Sequence, residues 1–129
     1  MYAHIYAKDF KHKMFKFCKK LTENSIPESD RFQFIDSVVF APVKGGRRFI
    51  KVKYYTNRIE TDYETGEKTL HKDTKGSIHC FVERTTGNIF KPQTWRAPYL
   101  KGNNAVRGNI YKPETFDKTD MHGGWLYHR

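Results

Sequence analysis

The sequence predicts an α+β fold in which an N-terminal helix or helix pair is followed by an antiparallel β-meander and an irregular C-terminal wrap. Three patterns indicate this order: helical spacing of apolar residues near the N-terminus, alternation of apolar and polar residues in two central segments, and frequent Pro, Gly and Asn from Pro92 onward. The 129 residues, 37% of them hydrophobic, suit a single domain. We expect a helical part at 1–36, a sheet at 37–94 and a loop-rich part at 95–129.

The first predicted element is an amphipathic helix over residues 8–21. Its apolar positions recur every three or four residues and lysines fill most of the others. Residues 22–24 favour an end to this helix. Ser25 and Glu28 then have the spacing of a capping box, with Pro27 in the first turn, which predicts a second helix.

The residues of the second helix that would face the core are Phe32, Ile35 and Val39. Residues 37–43 fit a strand equally well, because they include adjacent valines and a phenylalanine, and because Pro42 prevents a helix from continuing. Helix and strand therefore both remain open for this segment.

Two strands are predicted in the centre of the chain by alternation of side chains. Residues 47–54 place Arg48, Ile50, Val52 and Tyr54 on one face and Arg47, Phe49, Lys51 and Lys53 on the other. Residues 77–84 place Ile78, Cys80 and Val82 opposite His79, Phe81 and Glu83. A short loop at 85–88, with Gly87 at positive φ, leads into a return strand that ends before Pro92. The polar segment 56–76 is either a protruding hairpin or a loop.

The distribution of charge indicates a polyanionic partner. Lys and Arg number 24 against 14 Asp and Glu, a formal net charge of +10. Three segments, 8–20, 37–59 and 84–113, each carry six basic residues, and only the first contains an acid. Acids gather instead at 60–67 and near the C-terminus. This asymmetry predicts a positive face and a separate negative flank.

Residues 87–111 mix aromatic and basic side chains, which is typical of surfaces that stack bases and hold phosphates. We therefore expect a non-enzymatic protein that binds RNA or single-stranded DNA. The residues expected to form its binding surface are Arg47, Lys51, Lys53, Lys91, Trp95, Arg96, Tyr99, Lys101 and Arg107. Phe90 and Trp95 also suit a role as core anchors, which we favour for both, whereas Tyr99 is expected to be exposed.

Signals for a metal, a cofactor or catalysis are weak. The histidines and the two cysteines lack metal-ligand spacing, and the glycines match no phosphate-loop or dinucleotide motif, so we expect neither metal nor cofactor. His79 and Cys80 are neighbours on a strand, so their side chains should point to opposite faces. A small endoribonuclease is the minority alternative, and its candidate residues are His79, Arg96, Arg107, His122 and Tyr127.

A further alternative is an accessory or virion-associated protein that binds a host or viral protein. Its interface anchors would be Tyr54, Tyr55, Trp95 and Trp125. The sequence contains no apolar stretch long enough to cross a membrane and no secretion signal, so we expect an intracellular protein without a membrane partner.

Three C-terminal runs resemble a family of small uncharacterised proteins of tailed bacteriophages. These runs are CFVERTTGNIFKPQTWRAP at 80–98, VRGNIY at 106–111 and HGGWLYHR at 122–129. The resemblance implies a phage-encoded protein that acts in the cytoplasm of a bacterial host or is associated with the virion. It transfers no catalytic residue, and it does not extend to residues 1–45 or to the acidic segment 60–67.

Overall fold

One N-terminal helix packs against one antiparallel sheet, which confirms the predicted α+β fold. The computed structural model describes residues 8–29, 35–102, 105–112, 114–115 and 126, except for the side chains of 25–29 and 35–36. The elements are α1 (Phe10–Ser29), β1 (Ile35–Pro42), β2 (Phe49–Thr61), β3 (Lys68–His71), β4 (Ser77–Glu83), β5 (Asn88–Phe90) and β6 (Gly108–Asn109). The strand order is β1-β2-β4-β5-β6, and β3 pairs with the far end of β2.

Helix α1 continues without a break through the segment expected to end it. The expected stop at 22–24 and the new helix at Ser25 are therefore wrong, and Pro27 lies in the last turns of the same helix. Thr22 lies inside the helix, where its hydroxyl donates to the carbonyl oxygen of Cys18 at 2.9 Å. Phe32 lies outside the described residues.

The apolar stripe of α1 covers the core face of the sheet, and each large side chain buried there contributes about 1.5–3 kcal/mol. The buried core consists of Phe10, Met14, Phe17, Cys18 and Leu21 from the helix, and of Val38, Phe40, Ile50, Val52, Cys80, Val82, Ile89, Ile110 and Leu126. Residues 37–42 belong to β1, so the strand interpretation is correct for them. Val39 is 41% exposed and does not face the core, because alternation in a strand sends Val38 and Phe40 there instead.

Strand β1 is the outer strand of the sheet, and α1 protects its free edge. The amide N–H of Phe40 donates to the Thr22 hydroxyl oxygen at 3.0 Å rather than to β2. Pro42, two residues further along the same edge, has no amide hydrogen to offer. The edge is therefore poorly suited to pairing with another strand.

The predicted alternation holds in β2 and fails in β4. Val52 pairs with Cys80 but Lys53 pairs with Ile78, which leaves His79 as the extra residue of a β-bulge. The His79 ring packs edge-on against Phe40, with ring centroids 5.0 Å apart. His79 and Cys80 therefore both lie on the core side, and the expectation that they point to opposite faces is wrong.

The second face of the sheet is covered in part by the chain that follows β5. Phe81 and Phe90 are buried there, and the Phe90 ring packs edge-on against Phe49 at 5.7 Å. Gly87 has the predicted positive φ of 77° in the β4–β5 turn, and the Tyr111 ring packs directly over it. Strand β6 extends the sheet into the segment expected to be irregular.

Between β2 and β4 the polar segment forms a protruding hairpin. Strand β3 pairs with the last residues of β2, and Gly66 occupies the turn at a φ of 74°. The Asp62 carboxylate accepts from the amide of Glu64 at 2.9 Å, which orders the turn. All side chains of 60–71 are exposed, so this hairpin contributes little to the core.

Candidate nucleic-acid interface

The β1–β2 loop forms one wall of a cleft on the second face of the sheet. Gly45 and Gly46 both have positive φ, 95° and 79°, so the chain turns sharply between Lys44 and Arg47. A side chain on Gly46 would overlap the carbonyl oxygen of Phe49. The glycine pair therefore lets the basic residues on either side of it approach the start of β2.

Five cations line this cleft, which encloses about 380 Å³. We call it the basic cleft, and its cations are Lys44, Arg47, Arg48, Lys51 and Arg96. The remaining lining is apolar or backbone and includes Phe49, Phe81 and Pro98. Because none of its lining residues is acidic, the cleft presents a concentrated positive potential.

Among the described residues, Arg48 is the one cation of the basic cleft that forms an ion pair with a carboxylate. Its Nε lies 2.9 Å from the Glu83 carboxylate, which also accepts from the Thr86 hydroxyl at 2.7 Å. No carboxylate in the described part of the chain lies within ion-pair distance of the other four cations. Those four charges are available to an anionic ligand.

Trp95 is held beside the cleft by a closed loop, residues 91–99. The amide of Tyr99 donates to the Lys91 carbonyl at 2.9 Å, and Pro92 and Pro98 pair across the loop. The Arg96 amide donates to the Thr94 hydroxyl at 3.2 Å. These bonds fix the tip of the loop.

The Trp95 indole is 65% exposed, and two cationic side chains lie over its ring. Lys51 Nζ lies 5.0 Å and Arg96 Cζ 4.6 Å from the ring centroid. The core-anchor interpretation is therefore wrong for Trp95, although it is correct for Phe90. A base stacked on the exposed part of this ring would have phosphate-binding groups close by.

Tyr99 is half-buried rather than exposed. Lys91 Nζ lies over its ring, 4.6 Å from the centroid, so one face of the phenol is already covered. The expectation of an exposed Tyr99 is wrong, because the backbone bond that closes the loop also draws this residue toward the sheet. Lys91 and Tyr99 flank the loop rather than line the basic cleft.

The other expected residues are more scattered. Lys53 shares the face of Lys51 on β2, and its ammonium donates to the Lys75 carbonyl at 3.2 Å. Lys101 is exposed beyond the loop. Arg107 lies at the opposite edge of the sheet, where its amide donates to the Ile89 carbonyl at 2.7 Å and its Nε is buried. The structure thus groups Arg47, Lys51, Trp95 and Arg96, and separates Arg107 from them.

Lys44 and Arg48 also line the basic cleft and were missing from the expected set. The signal in the sequence is the run Lys44-Gly45-Gly46-Arg47-Arg48, in which a flexible glycine pair separates basic residues. Such a run allows a backbone turn that brings flanking cations together.

The ribonuclease candidates that the structure describes, His79, Arg96 and Arg107, are not brought together. His79 is 4% exposed on the core face, whereas Arg96 lies on the second face. His122 and Tyr127 lie outside the described residues, as does Trp125, whereas its neighbour Leu126 is buried in the core. Of the other expected interface anchors, Tyr54 packs against the core and Tyr55 is half-buried against Gly76.

The two cysteines are buried thiols in the core. Burial raises the pKa of Cys18 to about 12 and that of Cys80 well above its ordinary value, with the neighbouring Cys18 adding to the rise at Cys80. Both groups stay protonated at neutral pH, so they lack the thiolate character of a nucleophile. No group of three or more His, Cys, Asp and Glu side chains within the described residues is placed to hold a metal ion.

Taken together, the fold and this surface define a small basic α+β protein with an exposed tryptophan beside a cation-lined cleft. None of the helices formed by the described residues combines the length and apolar character needed to cross a membrane. The chain belongs to a family of unknown function, DUF7717, whose model matches residues 2–128. No curated protein and no solved structure matches the sequence.

Proposed function

We propose that this protein binds RNA or single-stranded DNA, with a base stacked on Trp95 and adjacent phosphates held in the basic cleft. The observation that carries the proposal is the convergence of Lys51 and Arg96 on an exposed indole. Stacking on such a ring contributes about 1–3 kcal/mol per base, and cations beside it hold the backbone.

The geometry favours a single strand over a duplex. Bases in a duplex are stacked on each other, so their faces do not reach a protein ring, whereas unpaired bases do. Trp95 lies at the tip of a fixed loop and is open to solvent. A stacking platform of this kind accepts any base, so we expect little sequence specificity.

We further propose that the protein is phage-encoded and acts in the cytoplasm of a bacterial host, or in association with the virion, as the three C-terminal runs imply. We favour binding of nucleic acid without catalysis. Acid–base cleavage of RNA needs proton-transfer groups near the phosphate, and His79 is buried on the other side of the sheet from the basic cleft.

The test is fluorescence anisotropy with labelled oligonucleotides of about 20 nucleotides, given as oligo(U), oligo(dT) and a mixed-sequence duplex. The cleft variant is Arg47→Glu with Arg96→Glu, two exposed positions whose change should leave the fold intact. We expect the single strands to bind more tightly than the duplex, and the variant to lose affinity by about tenfold or more.

The matched control is Lys68→Glu with Lys72→Glu, which changes net charge equally at exposed positions on or beside the hairpin. Its affinity should fall much less. Absence of binding to every oligonucleotide at low salt, or an equal loss in both double variants, would remove the proposal. The ratio of absorbance at 260 and 280 nm of the purified protein shows independently whether it carries nucleic acid.

A further inference from the structure

An apolar groove runs between α1 and the outer strand β1, and it meets the basic cleft at the β1–β2 loop. It encloses about 860 Å³. Its lining includes Met14, Phe15 and Cys18 from the helix and Val39 and Pro42 from the strand. Phe15 is 65% exposed and Val39 41%. An open apolar surface of this kind marks a binding site more often than chance exposure.

The rim of the groove is basic. Phe15 stands one helical turn from Lys11 and one from Lys19, so the three side chains form a row along the groove. Lys44 lies across from them on the β1–β2 loop, and the buried Arg84 lies at the same end. Glu23 is the one acid among the lining residues. The groove therefore suits an occupant that is apolar in the middle and acidic at its margins.

The free edge of β1 argues against an added strand as that occupant. Strand addition depends on main-chain hydrogen bonds. The Phe40 amide already donates to Thr22, and Pro42 has no amide hydrogen. An occupant must therefore be held by its side chains, which is how an amphipathic helix docks into a groove.

We propose that this groove binds an acidic amphipathic helix of a partner protein. The apolar face of that helix lies against Phe15 and the groove floor, and its carboxylates lie near Lys11 and Lys19. The groove and the basic cleft share Val43, Lys44 and Gly45 at the β1–β2 loop. Lys11, Phe15 and Lys19 line the groove alone, so substitutions there test its occupation apart from the binding of nucleic acid.

The probe is a synthetic helical peptide of about 18 residues with leucines on one face and glutamates on the other. Its matched partner carries lysine at every glutamate position. Binding of the labelled peptides is followed by anisotropy at about 0.15 M salt, where long-range attraction is screened. We expect saturable binding of the acidic peptide and at least about tenfold weaker binding of the basic one.

Substitutions in the groove test which side chains contact the peptide. Phe15→Glu should weaken binding of the acidic peptide by about tenfold or more, and Phe15→Ala by less, with circular dichroism confirming the helix in both. Lys11→Gln with Lys19→Gln should weaken it by about three- to tenfold. The matched control is Lys13→Gln with Lys16→Gln, two lysines of α1 outside the groove lining. It should change affinity by less than about twofold.

Each contrary result overturns the proposal. Equal binding of both peptides, or equal effects of the two lysine pairs, would mean that charge placement at the groove is irrelevant. Failure of the acidic peptide to bind at about 1 mM would remove a helix as the occupant. Saturable binding of sodium dodecanoate at submicellar concentration, with no binding of the acidic peptide, would assign the groove to an acyl chain instead. Weaker oligo(U) binding by the uncharged variant Phe15→Ala would assign it to nucleic acid.

Discussion

Substitution of single residues tests whether this surface binds nucleic acid or only carries positive charge. Trp95 is the clearest case. Two cations already lie against its ring, and the indole is mostly open to solvent. A residue so exposed contributes little to folding, so substitution separates binding from stability. That separation makes Trp95 the most informative position of the proposed interface.

Trp95→Ala should weaken binding of oligo(U) by about five- to 150-fold, because one stacked base contributes about 1–3 kcal/mol. Its free energy of unfolding should change by less than about 0.5 kcal/mol. Tyr63→Ala is the control, since Tyr63 is a 98% exposed aromatic residue on the hairpin. Anisotropy titrations and urea unfolding measure the two quantities. Unchanged affinity in Trp95→Ala would separate Trp95 from the interface.

The raised pKa of the buried Cys18 thiol predicts how the free energy of unfolding depends on pH. Its pKa rises from 9.0 to about 12 on folding because the thiol is buried. Below about pH 9 both the folded and the unfolded chain hold the proton. Between the two pKa values only the unfolded chain releases it, so stability falls as pH rises, by about 1.4 kcal/mol per pH unit for this group.

Urea unfolding at about pH 8 and about pH 10 measures this loss. Cys18→Ala should be less stable at the lower pH, because it leaves a cavity, but its stability should fall less between the two pH values. An identical fall in both proteins would show that Cys18 keeps an ordinary pKa in the folded state.

At the scale of elements, the sequence predicted those parts of the fold that depend on local spacing. The alternation in β2 is correct because Ile50 and Val52 lie under α1 while Lys51 faces the other way. The β4–β5 turn is correct because Gly87 supplies the required conformation. Patterns of this kind are set by periodicity and by backbone sterics.

The parts that could not be predicted depend on contacts between distant segments. The bulge at His79 follows from how β4 fits against β2 and the Phe40 ring. Thr22, inside α1, contacts a strand eighteen residues away in sequence. The exposure of Trp95 depends on a loop closed by pairing of Pro92 with Pro98. Local propensity carries no information on these contacts.

Thr22 connects α1 to β1 by hydrogen bonds, and substitution of Thr22 tests how much this connection stabilises the fold. Its hydroxyl oxygen accepts from the Phe40 amide at 3.0 Å while its hydrogen goes to the Cys18 carbonyl. Thr22→Val keeps the shape and removes both bonds, so it should cost about 1–3 kcal/mol of unfolding free energy. Thr22→Ser should restore most of that loss. Urea unfolding measures the stability of both variants. Equal stability of Thr22→Val and the wild type would mean that the Phe40 amide finds another partner.

Across the whole molecule, the long strand β2 separates opposite charges. The basic cleft lies at its start and the acidic hairpin at its end, with Lys51 and Glu60 on the same strand. Nine residues of strand span about 30 Å, whereas the screening length at physiological salt is about 8 Å. The hairpin acids therefore do not neutralise the cleft. They leave one end of the protein attractive to a polyanion and the other repellent to it.

This polarity predicts how affinity responds to salt. A single strand releases about 0.7 counterion per phosphate contact, so the four uncompensated cations of the basic cleft give a slope of about −3 for log affinity against log salt. Lys51→Gln with Arg96→Gln should make that slope shallower by about 1.4. Lys68→Gln with Lys72→Gln removes the same charge from the hairpin end and should leave the slope nearly unchanged. Anisotropy titrations of oligo(dT) over a range of salt concentrations measure all three slopes. An equal reduction in the two double variants would mean that net charge alone attracts nucleic acid and that the cleft is not where phosphates bind.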